Sequence, residues 1–172
     1  MIPQIKRILY ATDLSDNSAY VFRHALNAAK NNDARIIILH VLEPMSATTI
    51  ALTHSYLFEG QEKKISEENI AHAKERIEKG LKAFCENELK NDPGFSDIVE
   101  SIELCVGFPA EEILRKVDEL NCDVIMMGTH SKGVIRNTFL GSTAKRVLRR
   151  TRKPVFIIPL PKGKVDITFH DI

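Results

Sequence analysis

The chain has 172 residues, 44% hydrophobic and 27% charged, with a formal net charge of +1. At that length roughly 70% of the unfolded surface is buried on folding, so one domain with a substantial core is expected, and the mixture excludes a disordered tail or a membrane bundle. Asp13 and Asp16 cut short the first apolar run, no stretch approaches the roughly 18 apolar residues of a membrane span, and three cysteines without a close pair suit buried thiols rather than a disulfide frame or zinc site, so a cytoplasmic location is expected.

Ile5 to Ala11 is an apolar run followed by Thr12-Asp13-Leu14-Ser15, the pattern of a buried strand ending in a turn, with Ser15 as the cap of the next helix. Ala19, Phe22, Leu26 and Ala29 recur at helical spacing until Asn31-Asn32-Asp33 ends the pattern. Residues 35 to 42 are nearly all apolar and β-branched, which suits a strand buried on both faces, and Pro44 closes it. Residues 45 to 61 carry Met45, Ile50, Leu52, Tyr56, Leu57 and Phe58 without a period, as a lid or partner-facing loop does. A long helix is expected over 61 to 89 from Ile65, Ile70, Ala73, Ile77, Leu81 and Phe84, with Gly80 costing it about 1 kcal/mol.

After Asp92-Pro93-Gly94, residues 98 to 106 alternate as an edge strand does: Ile98, Ile102, Leu104 and Val106 on one face, Ser101 and Glu103 on the other. Gly107-Phe108-Pro109 opens a helix to Leu120 with Ile113, Leu114 and Val117 inward, and Val124 to Met127 is the fourth strand. A 12-residue loop follows Gly128, then a helix over 142 to 150 and a last strand, Val155 to Ile158, stopped by Pro159 and Pro161. This β-α alternation implies an α/β fold, an open five-stranded parallel sheet with helices on both faces, Rossmann-like, with strand order 3-2-1-4-5. Residues 1 to 160 are assigned to that domain and 161 to 172 to a C-terminal tail.

Ligands of open parallel sheets gather at the carboxyl ends of the strands, where the first and fourth strands deliver Asp13 and Gly128. The loop after Gly128 adds Gly133 and Gly141 and opens into a helix, whose free amides attract phosphate. Between Asp123 and Asp166 there are ten Lys and Arg and no acid; without those ten, 14 of the 24 cations remain against 23 acids, so the rest of the chain carries −9. Lys145 and Arg146 fall early in the last helix, where the macrodipole disfavours cations unless an anion is bound. A second reading stands beside this one: Gly141 and Ser142 as a plain cap, solvated cations, and Asp13 capping its own turn. His130 has no nucleophile or carboxylate partner in view, so no general-base role is expected; His40 reads as a strand histidine with a hydrogen bond, and Met126 and Met127 as core.

The stretch from Gly128 resembles the phosphate motif of the universal stress proteins in their nucleotide-binding subgroup: glycine, two residues, glycine, nine residues, glycine, then serine or threonine. Gly128, Ser131 and Gly141-Ser142 keep the spacing, with Ser131 in place of the second glycine. The resemblance spans residues 5 to 159, including Ile-Leu-Tyr-Ala-Thr-Asp-Leu-Ser at the start and Lys-Pro-Val-Phe-Ile-Ile-Pro at the end. It implies the adenine nucleotide alpha hydrolase-like variant of the fold, and ATP, ADP or AMP as ligand, with or without magnesium. It further implies that Asp13, with Thr12 beside it, bonds the ribose, that Val41 meets the adenine through its backbone, and that Met127 lies beside the ribose. Gly128, Ser131, Gly141, Ser142 and Thr143 would surround the phosphates, where Ser131 either weakens binding or donates a hydroxyl hydrogen bond.

The implied role is that of a stress-response sensor or regulator, at most a slow ATPase, with no catalytic residue and no metal ligand assigned. The last strand, apolar and without a protective charge, is expected to pair with its copy in a homodimer, as in that family. Neither a membrane nor a nucleic acid is expected as partner, since no aromatic residues interleave the basic segment for base stacking. A nucleotide-free scaffolding dimer is the alternative, and a flavin site remains compatible with the architecture alone.

Overall fold

Apolar residues at successive positions cannot all face one side of a strand, so runs such as Ile36-Ile37-Ile38-Leu39 demand cover on both faces of a sheet. The computed structural model, which describes residues 2–15, 18–44, 61–90, 97–129 and 140–159 with the backbone alone for 61–69, provides that cover. The chain runs β1 (Arg7–Thr12), α1 (Ser18–Asn32), β2 (Arg35–Leu42), α2 (Gln61–Leu89), β3 (Val99–Val106), α3 (Pro109–Glu119), β4 (Val124–Gly128), α4 (Ser142–Arg150) and β5 (Val155–Ile158). Every neighbouring pair is parallel and the order is β3-β2-β1-β4-β5, as expected.

The even-numbered side chains Ile8, Tyr10, Ile36, Ile38, Val124 and Met126 pack with Phe22 of α1 and with Leu81 and Phe84 of α2. Their odd-numbered neighbours Leu9, Ala11, Ile37, Leu39, Ile125 and Met127 pack with Ile113 and Val117 of α3 and Val147 of α4. On the first face the rings of Tyr10, Phe22 and Phe84 form a chain with centroids 5.5 and 5.3 Å apart, spacings that favour aromatic pairs. Arg23 of α1 grips Glu88 of α2 through two bonds of 2.7 and 3.0 Å.

Two helices end alike. Asp33 and Asn121 each adopt φ of 50°, and the next amide reaches back to close the turn, Ala34 to the Ala29 carbonyl and Cys122 to that of Val117, both at 2.9 Å. Each turn aims the chain directly into the strand that follows.

Several boundaries depart from the sequence pattern. β1 starts at Arg7 rather than Ile5, and at its entry Asp123 Oδ2 accepts the amides of Lys6 and Arg7 at 2.7 and 2.9 Å. The described part of α1 begins at Ser18, whose amide donates to the Ser15 carbonyl at 2.9 Å. The alternation expected in β3 is reset near Glu100, since Ile36 pairs with Val99 and Ile37 with Ser101, a bulge that leaves both Ile98 and Val99 against the same core face. Val106, at the strand's free end, is exposed rather than inward, and Cys105 is half-buried while Cys85 and Cys122 are buried. Ser131, His130, Gly133, the segment 45–60 and the tail 161–172 lie outside the described residues, as does the side chain of Ile65.

Candidate functional site

Where β1 and β4 end, their connections leave to opposite faces of the sheet, α1 to one and α4 to the other. The gap at this carboxyl rim is a cleft of about 370 Å³. It brings together Thr12 and Asp13 from the exit of β1, Val41 from β2, Met127 and Gly128 from β4, and Gly141, Ser142 and Thr143 from the start of α4. Eight of the nine residues singled out from the sequence thus share one cleft; Ser131 is the ninth. Lys145 and Arg146 do not line it, because the buried face of α4 carries Ala144 and Val147 and turns both cations to solvent.

Side chains hold the exit of β1 in shape. Leu14 has φ of 59°, a left-handed conformation that costs a side-chain-bearing residue about 1–2 kcal/mol. Its amide is held by the Thr12 hydroxyl oxygen at 3.1 Å, and that hydroxyl donates onward to Ser18 Oγ at 3.1 Å. Below them the buried Tyr10 hydroxyl donates to the Ser18 carbonyl at 2.8 Å, and burial pushes its pKa above the ordinary phenol range. Asp13 accepts the Ser15 amide on Oδ1 at 3.0 Å. The capping reading of Asp13 is therefore met by one oxygen, and among the described residues Oδ2 of this exposed carboxylate has no partner.

The start of α4 is built differently. Gly141 occupies the cap position with φ −66° and ψ 164°, makes no side-chain cap bond, and no acid follows in the first turn. Its amide is spent on the Thr129 carbonyl at 2.8 Å and its carbonyl on the Lys145 amide at 3.0 Å. Among the described residues the amides of Ser142, Thr143 and Ala144 have no partner. Helix-start donors of this kind, at the positive end of the helix dipole, are suited to an anion.

The apolar side of the cleft comes from Leu39, Val41, Ile113 and Met127, which suits a flat, weakly polar ring better than a sugar. Sequence reasoning did not single out Ser18, Glu43, Pro109 or Thr129 as cleft residues, nor place His40 there. The order of the strands was the available signal, since it sets the ends of β1, β2 and β4 side by side. Among the described residues the lining contains the acids Asp13 and Glu43 and neither lysine nor arginine.

Residues 4–159 match the model of the universal stress protein family. The chain belongs to that family. Among its relatives are two universal stress proteins of Methanocaldococcus jannaschii. MJ0531 is 31% identical over 157 residues, covering 91% of this chain and 84% of the relative; MJ0577 is 29% identical over 155 residues, covering 89% and 94%. The solved structure of MJ0577 superposes with a TM-score of 0.67 at 24% identity, covering 94% of this chain and all of that one. A family member from Archaeoglobus fulgidus, solved in complex with dAMP, shares the fold with a TM-score of 0.53 at 24% identity, covering 91% and 98%. A universal stress protein in complex with cAMP gives 0.53 at 20% identity, covering 91% and 98%. Among the described residues no helix is long and apolar enough to cross a membrane.

Proposed function

We propose that this universal stress protein binds an adenine nucleotide, ATP, ADP or AMP, in the rim cleft, and acts in the cytoplasm as a dimeric stress-response sensor or regulator with at most slow ATP hydrolysis. The observation that carries the reading is the pairing of two features in one cleft: the start of α4 without a side-chain cap and, at the exit of β1, a carboxylate with one oxygen unpartnered among the described residues. Their chemistry is complementary to the two ends of a nucleotide. Asp13, beside Thr12, accepts from the ribose hydroxyls; Val41 meets the adenine through its backbone with Met127 beside the sugar; Gly128, Ser131, Gly141, Ser142 and Thr143 surround the phosphates. Family members solved with dAMP and cAMP support the reading that this fold accommodates such ligands. Among the described residues no group of three His, Cys, Asp or Glu side chains could hold a metal ion. Magnesium, when it accompanies the nucleotide, is on this account held by phosphates and water rather than by a protein cage.

The dimer forms through β5, the outermost strand, whose apolar edge from Val155 to Ile158 includes the part-exposed Phe156. Light scattering of the native chain is expected to give twice the monomer mass, and Ile157→Pro, which removes an edge donor, the monomer mass.

Unfolding the purified protein and weighing any released small molecule tests the ligand, followed by calorimetric titration with ATP and AMP. Released adenine nucleotide, or heat on titration, is the expected result. Absence of both at millimolar nucleotide would replace the sensor with a nucleotide-free regulatory or scaffolding dimer.

A further inference from the structure

Thr12 and His40 are register partners at the ends of β1 and β2, and His40 Nδ1 lies 2.8 Å from the Thr12 carbonyl oxygen. A carbonyl oxygen only accepts, so Nδ1 carries the proton and donates it. The acceptor belongs to the peptide that joins Thr12 to Asp13, so the imidazole grips the link carrying the carboxylate. From the other side the same turn is held by the Thr12 hydroxyl, through Leu14 and Ser18. His40 is half-buried on the wall of the cleft, and Nε2 is the nitrogen that the tether leaves unused. A side chain on β2 thus fixes the angle at which β1 delivers Asp13.

We propose that His40 is a positioning residue for Asp13: by tethering the Thr12–Asp13 peptide it holds the spare carboxylate oxygen where a nucleoside hydroxyl meets it. This rests on the nucleotide reading of the cleft. Asparagine places an amide N–H close to where Nδ1 sits, glutamine places it one bond farther out, and leucine offers none, so the three substitutions grade the tether while changing little else.

The test is calorimetric titration of AMP into the full chain and into H40N, H40Q and H40L, with H40L repeated in the Asp13→Ala background and melting curves as the folding control. H40L is expected to bind AMP about tenfold more weakly, H40N within about threefold of the native chain, and H40Q in between. H40L should add no further loss once Asp13 is alanine, because the tether then has nothing to position. Should leucine unfold the chain, the order of H40N over H40Q carries the same comparison. Native-like affinity in H40L, an equal loss on top of Asp13→Ala, or no rescue by asparagine would overturn the inference while leaving the nucleotide site standing. Failure of the native chain to bind AMP would overturn both. Nitrogen-15 spectra of the imidazole add a readout that needs no nucleotide: a proton on Nδ1 is expected, and a neutral ring protonated only on Nε2 would overturn the tether.

Discussion

At the amino rim of the sheet the amides of Lys6 and Arg7 both donate to Asp123, Arg7 pairs with Glu100 at 2.8 Å and Lys6 with Asp33 at 3.8 Å. At the carboxyl rim the start of α4 keeps amides without partners among the described residues and Asp13 keeps an oxygen. Both rims are hollow, and the amino-rim hollow is the wider, about 720 Å³ against about 370 Å³. The wider hollow is also the more densely charged, yet its ions face one another, so size and charge do not single out a ligand site; the satisfaction of hydrogen-bonding groups among the described residues separates the two. Helix direction reinforces the contrast. α1 and α3 end near the amino rim, where their negative dipole ends meet Lys6, Arg7 and Arg35, whereas α4 begins at the carboxyl rim with its positive end.

Substitutions at the two rims should separate binding from stability. The largest effect is expected from Gly141→Val. The backbone there, φ −66° and ψ 164°, is open to any residue, so the fold should survive. A branched side chain at the helix start blocks phosphate approach, and ATP affinity should fall by more than about a hundredfold in calorimetry, about 3 kcal/mol. Unchanged affinity would place the ligand elsewhere. At the amino rim, Asp123→Ala orphans two amides and should lower unfolding stability by about 2–3 kcal/mol in urea titration, with nucleotide affinity unaltered. Loss of affinity in that variant would mean the rims are coupled. Asp13→Ala should weaken adenosine and AMP alike by about tenfold, through one lost charge-assisted hydrogen bond; an effect on ATP alone would contradict a ribose role.

The smallest effects concern the thiols. Burial pushes the Cys122 thiol, near the amino rim, up to about 11, and that of Cys105, at the carboxyl end of β3, also to about 11. A thiol titrates near 8.5 in the unfolded chain, so above that pH the unfolded state binds fewer protons than the native state. Stability is whole below about pH 8.5 and declines towards pH 11, and Cys122→Ala should flatten that decline in urea midpoints. Alkylation at pH 8 should reach half-buried Cys105 before Cys122, which is fully buried; the reverse order would contradict the packing described for the two rims.

What could be read from the chain itself follows the range of the interactions. Among the described residues, period and composition located every strand and helix within a few residues, because burial on both faces of β1, β2 and β4 leaves a local signature in runs such as Ile36 to Leu39. The Gly128 to Gly141 spacing and Asp13 pointed to one rim, and the strand order then placed eight residues in one cleft. Contacts between residues far apart left no such mark. Nothing near Asp123 announces that it holds amides 116 and 117 residues away, nothing near Glu88 reveals Arg23, and the bulge at Glu100 is invisible to a period-two count. The link from His40 to Thr12 exists only once β2 lies beside β1. Lys145 and Arg146 misled for a related reason: position early in a helix gives closeness to its start, but the face each occupies is set by what α4 buries.

The contrast between the rims is tested most directly by following backbone amide resonances while AMP is added to the native chain. Shifts confined to Asp13, Val41, Gly128 and Gly141 to Thr143, with Lys6, Arg7 and Asp123 unmoved, are the expected result. Shifts centred on the amino rim, or none at millimolar AMP, would contradict the account.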